Sequence, residues 1–372
     1  MRRDAGTFRS GMQIDMPLLL AIVAIATLGV VNLYSATSVY IDAGKRSGLA
    51  DIYVSQVYWI VVGGLVAIAV AAIDYRHFER LAYFFYVGGL ASLGLVFVLA
   101  ADIRGSSRWI QLGSFTFQPS EFMKILVILA IAKWLHDDPK TEPRTLMDLA
   151  PAFGLTAVPV ALVMAQPDLG TSLIYLLTVG SILAMTKIRR RSLAVLGGIA
   201  VTVPPVFWKY LMKDYQKARI TSFLDPEADK TGVGWHAFQS KTAIGNGGLL
   251  GEGFMQGTQN QFGFLPDQHS DFPFAVFAED WGFVGSLVLL SLYAFLVIWA
   301  IHIASQAKDR FGAAVAVGVG SMVFWHMVFN VGMAMGLLPV VGVTLPLFSY
   351  GGSSVVTMMI GLGLLMNVSM RR

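Results

Sequence analysis

A carboxylate set where a polar loop re-enters an apolar environment is equipped to take a proton from a hydroxyl, and Asp271 holds such a place. It closes the run Leu265-Pro266-Asp267-Gln268-His269-Ser270-Asp271, just before Phe272-Pro273 opens a long apolar stretch. Desolvation at such a boundary disfavours the charged carboxylate, raises its proton affinity and suits it to general-base work. The same position suits a helix N-cap followed by a first-turn proline, and local rules leave both roles open. His269, Asp267 and the upstream segment Gly245-Asn246-Gly247-Gly248 bring further polar groups to that edge.

Other charges stand at the ends of apolar runs, where they are costly and therefore candidates for function. Glu121 and Lys124 are three residues apart and share one helix face. They form either a local ion pair closing a helix end or the charged wall of a cavity. Arg108, beside Trp109, either offers its guanidinium to a phosphate or reaches toward lipid headgroups. Asp168 either caps a helix or joins the same polar cavity. Arg219 and Lys241 belong to a polar segment of the chain, as solvated surface or as cations for a developing negative charge. Gly245 to Gly253 could cradle phosphate through backbone amides, although no Walker pattern is present. His326 is expected to be a hydrogen-bonded interhelical residue, and no His and carboxylate cluster has a metal-ligand spacing.

The elements that must position these residues are apolar spans. Hydrophobic residues make up 55% of the chain and charged ones 13%, against roughly 25% charged in soluble domains, so this is an integral membrane protein. With no cysteine there is neither a disulfide framework nor a thiolate metal site. No basic cluster is interleaved with aromatics, which removes nucleic acid as a partner. Apolar windows fall at about 15–36, 54–73, 79–101, 120–136, 148–166, 169–186, 192–211, 272–303, 312–335 and 346–368. Near the ~20 residues that cross a bilayer, they imply ten transmembrane helices in an all-α, single polytopic domain. Arg2, Arg3 and Arg9 precede the first stretch, which is too long for a signal peptide and reads as a retained span.

Placing both termini in the cytoplasm puts Arg76 and Arg80, then Lys133, Lys140 and Arg144, then Lys187 and Arg189 to Arg191, then Lys308 and Arg310, and last Arg371 and Arg372 inside. The large loop, about 212–271, then lies between spans seven and eight on the outer face. Its length marks it as a linker or a working part, and the acid at its membrane edge favours work. Leu338-Pro339-Val340-Val341-Gly342 through Ser349-Tyr350-Gly351-Gly352-Ser353-Ser354 is rich in Gly and Pro. A chain of that kind at membrane depth must be packed inside protein, because lipid cannot satisfy its backbone.

Five motifs occur in order along these spans: Arg108-Trp109, Gln118-Pro119-Ser120-Glu121, Gln166-Pro167-Asp168-Leu169-Gly170-Thr171, His269-Ser270-Asp271-Phe272 and Ser349 to Ser354. The chain resembles, over nearly its whole length, the SEDS family of shape, elongation, division and sporulation proteins. Gly257-Thr258-Gln259-Asn260-Gln261 and Leu338 to Gly342 are more similar to the elongation branch than to the division branch.

The resemblance implies polymerisation of peptidoglycan glycan strands from lipid II in the bacterial inner membrane. The implied partners are a class B penicillin-binding protein and other elongation-complex proteins. It makes Asp271 the catalytic residue and places Arg108, Glu121, Lys124 and Asp168 in a polar cavity, with Arg219, Lys241, His269 and Ser349 as further substrate-binding candidates. A divalent cation such as Mg or Mn is left open. Pro273 stands where the family commonly has an aliphatic residue, which should change the helix entry and not the activity. From composition and span count alone a lipid transporter competes with the polymerase, as does a non-catalytic scaffold. Glu121, Asp168 and Asp271 all fall near the outer boundary and not the midplane, which favours the enzyme.

Overall fold

The computed structural model describes residues 14–42, 51–99, 101–103, 106–112, 115–138, 140–210, 212–225, 233–265 and 267–372, so Arg2, Arg3, Arg9 and Pro266 lie outside the described residues. A helix occupies each of the ten expected windows. In chain order these are α1 (Met16–Asp42), α2 (Ile52–Ala72), α3 (Tyr75–Leu99), α4 (Pro119–Asp137), α5 (Leu146–Ala165), α6 (Leu169–Ala184), α7 (Arg190–Tyr210), α11 (Pro273–Gln306), α12 (Arg310–Ala334) and α13 (Gly352–Arg371). Eight of them are long and apolar enough to cross a membrane; α6 is a shorter apolar helix, and α4 carries more charge. The protein is a multi-pass membrane protein.

Two features differ from the windows. The last helix starts at Gly352, because 346–351 folds as turns and irregular chain. Between α3 and α4 lies a small antiparallel sheet in the order β1-β2-β3, with β1 (Ala101–Ile103), β2 (Ser106–Leu112) and β3 (Phe115–Phe117). The polar loop is itself partly helical, with α8 (Asp214–Leu224), α9 (Val233–Asn246) and the single turn α10 (Thr258–Gln261).

The centre of the bundle is α4, α6, α12 and α13, whose inward residues are buried along most of their length. By contrast α7 is exposed almost all round, as expected of a helix surrounded by lipid. Close helix approach uses small residues: a Cβ on Gly363 of α13 would come within 2.7 Å of the Ala67 carbonyl oxygen on α2.

The basic connections meet at one end of this bundle. Lys133 pairs with Glu79 at 3.2 Å, the Arg144 amide donates to the Lys187 carbonyl at 2.7 Å, and Arg371 donates to the Ala71 carbonyl at 3.1 Å. Arg372 and Asp15, from the last and first helices, pair at 3.3 Å. The start of α1 and the end of α13 therefore lie at the same end as the basic connections.

Helix α11 is broken at Gly282, whose φ of 64° only glycine adopts without strain. The backbone groups released by the break are taken up by the glycine-rich stretch after α9. Phe283 and Val284 amides donate to Gly248 and Leu249 carbonyls at 2.9 and 3.1 Å, while Glu252 and Gly253 amides donate to Glu279 and Asp280 carbonyls at 2.9 and 3.2 Å. Gly247 and Gly251 thus pack closely against α11, and the amides of Gly251 to Gly253 are committed to protein carbonyls or the turn beside them. A phosphate cradle at this stretch is not what the structure contains.

Candidate active site

At the end of the bundle opposite the basic connections opens a cavity of about 1280 Å³. Its walls carry Glu121 from the start of α4, Asp168 from the start of α6, and Asp267, His269 and Asp271 from the end of the polar loop. Arg108 and Trp109 come from β2, Lys213 and Arg219 from the chain around α8, and the Val341 to Thr344 stretch forms a further wall. Residues that are far apart in sequence are held together here by two irregular segments with buried backbones.

The first segment is 338–351, as its glycine and proline content implies. Its carbonyls are met by side chains from three helices: Val343 by Asn330 at 2.8 Å, Thr344 by His326 at 2.9 Å, Pro346 by the Tyr293 hydroxyl at 2.6 Å and Ser349 by Gln56 at 3.1 Å. Each donor repairs a backbone group that lipid could not. The second segment, 267–272, is tied to the first where the Tyr350 amide donates to the His269 carbonyl at 2.8 Å. Asn330 joins them directly, donating to the Asp271 carbonyl at 2.9 Å as well as to Val343.

The N-cap position of α11 is Phe272, with Pro273 in the first turn, so Asp271 lies one residue before the cap. Its Oδ2 approaches the Gly342 backbone, where a Cβ would stand 3.8 Å away. Its backbone amide bonds to the Asp267 carbonyl at 3.0 Å.

For Asp168 both roles hold together. It is the N-cap of α6, accepting from the Thr171 amide at 3.2 Å, and its other oxygen faces Arg108 at 3.6 Å in the cavity wall. Arg108 also donates to the Pro167 carbonyl at 2.6 Å, so the guanidinium is anchored in protein and not extended to lipid. Glu121 and Lys124 form the expected pair at 2.7 Å, and both are buried. Lys124 additionally reaches Nε2 of His326 at 3.0 Å. A carbonyl can only accept, so Nδ1 of His326 donates to Thr344, and Nε2 is left as the acceptor for the Lys124 ammonium. His326 is thus an interhelical hydrogen-bonding residue as expected, and it also lines the cavity.

Three of the expected residues do not line the cavity: Lys124 is buried behind Glu121 and His326, and two others stand elsewhere. Lys241 on α9 is exposed and lies over the turn after α12, close to Gly336. Ser349 is buried with its hydroxyl accepting from the Leu345 amide at 2.8 Å, and it holds the shape of the irregular segment. Lys213 is the reverse case, a cavity cation whose sequence neighbourhood singles it out by nothing more than lying in the polar loop. Among the described residues no group of three or more His, Cys, Asp or Glu is placed to hold a metal ion.

The family described as cell cycle protein, FtsW/RodA/SpoVE, matches the chain over residues 16–372. The chain belongs to this family. It is 38% identical over 366 residues to the peptidoglycan glycosyltransferase MrdB of Escherichia coli (strain K12), covering 98% of this chain and 96% of that protein. The peptidoglycan glycosyltransferase RodA of Treponema pallidum (strain Nichols) is 31% identical, with 96% and 98% covered. Among solved structures, one from a peptidoglycan synthase complex, described as coordinating polymerization and crosslinking, superposes with a TM-score of 0.81 at 34% identity, covering 96% and 97% of the two chains. The crystal structure of the Thermus thermophilus rod shape determining protein RodA gives 0.69 at 29% identity, with 96% of each chain covered.

Outside the cavity lining, this FtsW/RodA/SpoVE chain carries two buried carboxylates that its apolar patterning conceals. Glu279 accepts from the Gln259 and Asn260 amides at 2.9 and 3.3 Å and so caps α10, while Asp280 accepts from the Ser35 hydroxyl of α1. Both sit at the break in α11 and serve to join the loop to the bundle.

Proposed function

We propose that this chain is a peptidoglycan glycosyltransferase that polymerises glycan strands from lipid II, with Asp271 as the general base. The observation that carries the reading is the placement of Asp271 before the cap position of α11, in the wall of a large cavity that also holds Arg108, Lys213 and Arg219. The names of the MrdB and RodA relatives support the same activity.

In this mechanism Asp271 takes the proton from the 4-hydroxyl of the acceptor GlcNAc. The hydroxyl oxygen bonds to the anomeric carbon of the donor MurNAc as the bond to pyrophosphate breaks, and undecaprenyl pyrophosphate leaves with the electron pair. One displacement converts an α-linked donor into a β-1,4 link. The negative charge growing on the leaving group falls to the cavity cations, with Arg108 already oriented by Asp168 and Pro167. Glu121, Lys124 and His326 form a buried, mutually compensated wall, which keeps the region polar without freeing a charge to compete for substrate.

All ten long helices span the membrane in this reading, both termini are cytoplasmic, and the cavity faces outward, where lipid II can enter laterally. The gathering of the basic connections at the opposite end supports this orientation. The partner is a class B penicillin-binding protein and the role is elongation and rod-shape maintenance, supported by the RodA and synthase-complex likenesses.

The test is polymerisation of fluorescent lipid II in detergent by the purified protein, paired with a penicillin-binding partner made transpeptidase-dead and lacking its own glycosyltransferase. A glycan ladder is expected. Absence of polymer, together with movement of lipid II across vesicles by the same protein, would establish a transporter instead.

A further inference from the structure

The same three helices that open the large cavity at one end enclose a second, smaller one at the other. It measures about 320 Å³ and lies among the last turn of α4 (Leu135), the end of α6 (Met185, Thr186) and the start of α12 (Arg310, Ala313). We propose that this pit binds the phosphate headgroup of an anionic membrane lipid. The orientation proposed above enters only in naming the leaflet, which would be the cytoplasmic one.

Four cations, Lys140, Arg144, Lys187 and Arg310, share its lining with a single carboxylate, Glu142. They divide into two kinds. Lys140 is paired with Asp148 at 2.8 Å and Arg144 with Asp138 at 2.5 Å, so these two build the frame. Lys187 and Arg310 are exposed and have no carboxylate within ion-pair distance among the described residues; Arg310 makes only a 3.4 Å bond to the Asp138 carbonyl. Two cations thus line a formed cavity with their charge uncompensated.

The frame is rigid for physical reasons. The Arg144 guanidinium is buried, donates to the Asp138 carbonyl at 3.1 Å as well as to its carboxylate, and stacks over Trp134 at 4.9 Å. Its backbone bridges to the next basic connection, accepting from the Arg189 amide at 3.0 Å and donating to Lys187. Of the two free cations, Lys187 stands on a connection braced to the Arg144 frame and Arg310 on the first turn of α12, so the backbones that carry them are fixed before a headgroup arrives.

A lipid fits this pit better than a polypeptide. The pit is short and sits where helices leave their apolar depth, and Met185 belongs both to its lining and to the outward apolar surface of the bundle, with 46% exposure. A phosphate could lie against Lys187 and Arg310 while the glycerol and first acyl carbons follow Met185 outward. Basic pockets between helix ends at headgroup level recognise anionic lipids on these grounds.

The experiment uses the full-length protein in neutral detergent, titrated with phosphatidylglycerol or phosphatidylcholine, and reads bound lipid by native mass spectrometry beside thermal unfolding. Phosphatidylglycerol should bind and raise the melting temperature, and phosphatidylcholine should not. Lys187→Gln combined with Arg310→Gln should weaken phosphatidylglycerol binding about thirty-fold, whereas Lys308→Gln, an exposed cation outside the pit, should change it little. Both sites are exposed, so folding is retained, and unchanged melting without lipid verifies it. Equal weakening by Lys308→Gln would reduce the effect to general surface charge and overturn the site. Displacement of lipid by inorganic phosphate at equal concentration would assign the pit to a free anion, and binding of an acidic peptide without phosphatidylglycerol would assign it to a protein; either result overturns the lipid proposal. Success or failure here is distinguishable from that of the polymerase reading, because no step of the test measures glycan synthesis.

Discussion

The two ends of α4, α6 and α12 solve different problems with the same kinds of residue. At one end a cavity of about 1280 Å³ is walled largely by irregular backbone, and at the other a pit of about 320 Å³ is walled by helix ends and two short connections. Both ends pair charges. The large cavity places Asp271 on a segment whose position depends on side chains from other helices, above all Asn330, while the small pit fixes Arg144 from its own connection. A site for chemistry needs groups converging from several directions, and irregular backbone supplies the directions while leaving buried amides and carbonyls that must each be met. A site for holding a headgroup needs only a few cations on a stiff frame.

The largest expected effect tests whether convergence serves proton transfer. Asp271→Asn keeps size and hydrogen-bonding capacity but cannot accept the proton, so lipid II polymerisation should fall about a hundred- to ten-thousand-fold with thermal unfolding unchanged. The matching change at the other end, Glu142→Gln in the pit, should leave the rate within about two-fold, since that end does no chemistry. Polymerisation by the Asp271→Asn variant at the native rate would remove the base assignment while leaving the activity intact.

Next in size is the buried wall. Lys124→Met removes the compensation of Glu121 in a place shielded from water, and such breaks cost roughly 3–5 kcal/mol. The combined variant with Glu121→Gln should recover most of that stability, because the penalty belongs to the stranded carboxylate. Melting temperatures of the single and double variants in detergent decide it; a single variant as stable as the native protein would mean the pair is solvated and the cavity wall is not what we describe.

How much of this is legible in the chain follows from the range over which each signal acts. Apolar runs are local, so all ten windows contain helices and the basic connections do gather at one end. Glu121 with Lys124 is a three-residue spacing and is found as the spacing implies. The bond from Lys124 to His326 joins positions 202 apart and has no local signal. Charge and loop membership make Lys241 a candidate cavity cation, but α9 turns it toward Gly336, a direction no composition encodes. Ser349 enters the candidate set with its motif, and its hydroxyl closes a turn instead. The glycines of 245–253 admit a phosphate reading because glycine signals backbone freedom without saying what approaches; here the break at Gly282 approaches. The three short strands escape because segments of three to seven residues barely register against long spans.

A smaller effect compares two asparagines that each clasp a pair of carbonyls. Asn330 holds those of Asp271 and Val343 beside the large cavity, and Asn367 holds those of Val70 and Ile73 at the basic end. Asn330→Ala strands a buried acceptor and should lose about 1–3 kcal/mol, and Asn367→Ala, whose acceptors are only part-buried, should lose less. The turnover rate separates them: Asn330→Ala should slow polymerisation as well, because it releases the segment that positions Asp271, and Asn367→Ala should not. Equal loss of rate in both would show that irregular backbone near the cavity has no special part in placing the base.

The smallest effect lies in the frame of the pit. The Arg144 guanidinium beside Asp138 holds its carboxyl below the usual carboxylate range. A depressed folded value means stabilisation that is present above the unfolded value of about 3.9 and is lost as pH falls through the folded one. The Asp138 side chain is 38% exposed, so solvent screening limits the contribution to below about 1 kcal/mol. Asp138→Asn keeps an oxygen for Arg144 and the backbone carbonyl bond, and should melt slightly lower than the native protein at pH 7, with the difference shrinking as pH falls below about 3.9. The substitution also removes one negative charge from the frame of the pit, so anionic lipid should bind the variant more tightly while neutral lipid is unaffected. A melting difference that persists unchanged into acid would mean the frame is held by hydrogen bonds and the Trp134 stack alone, and the pit would then keep its shape, and its lipid, independently of pH.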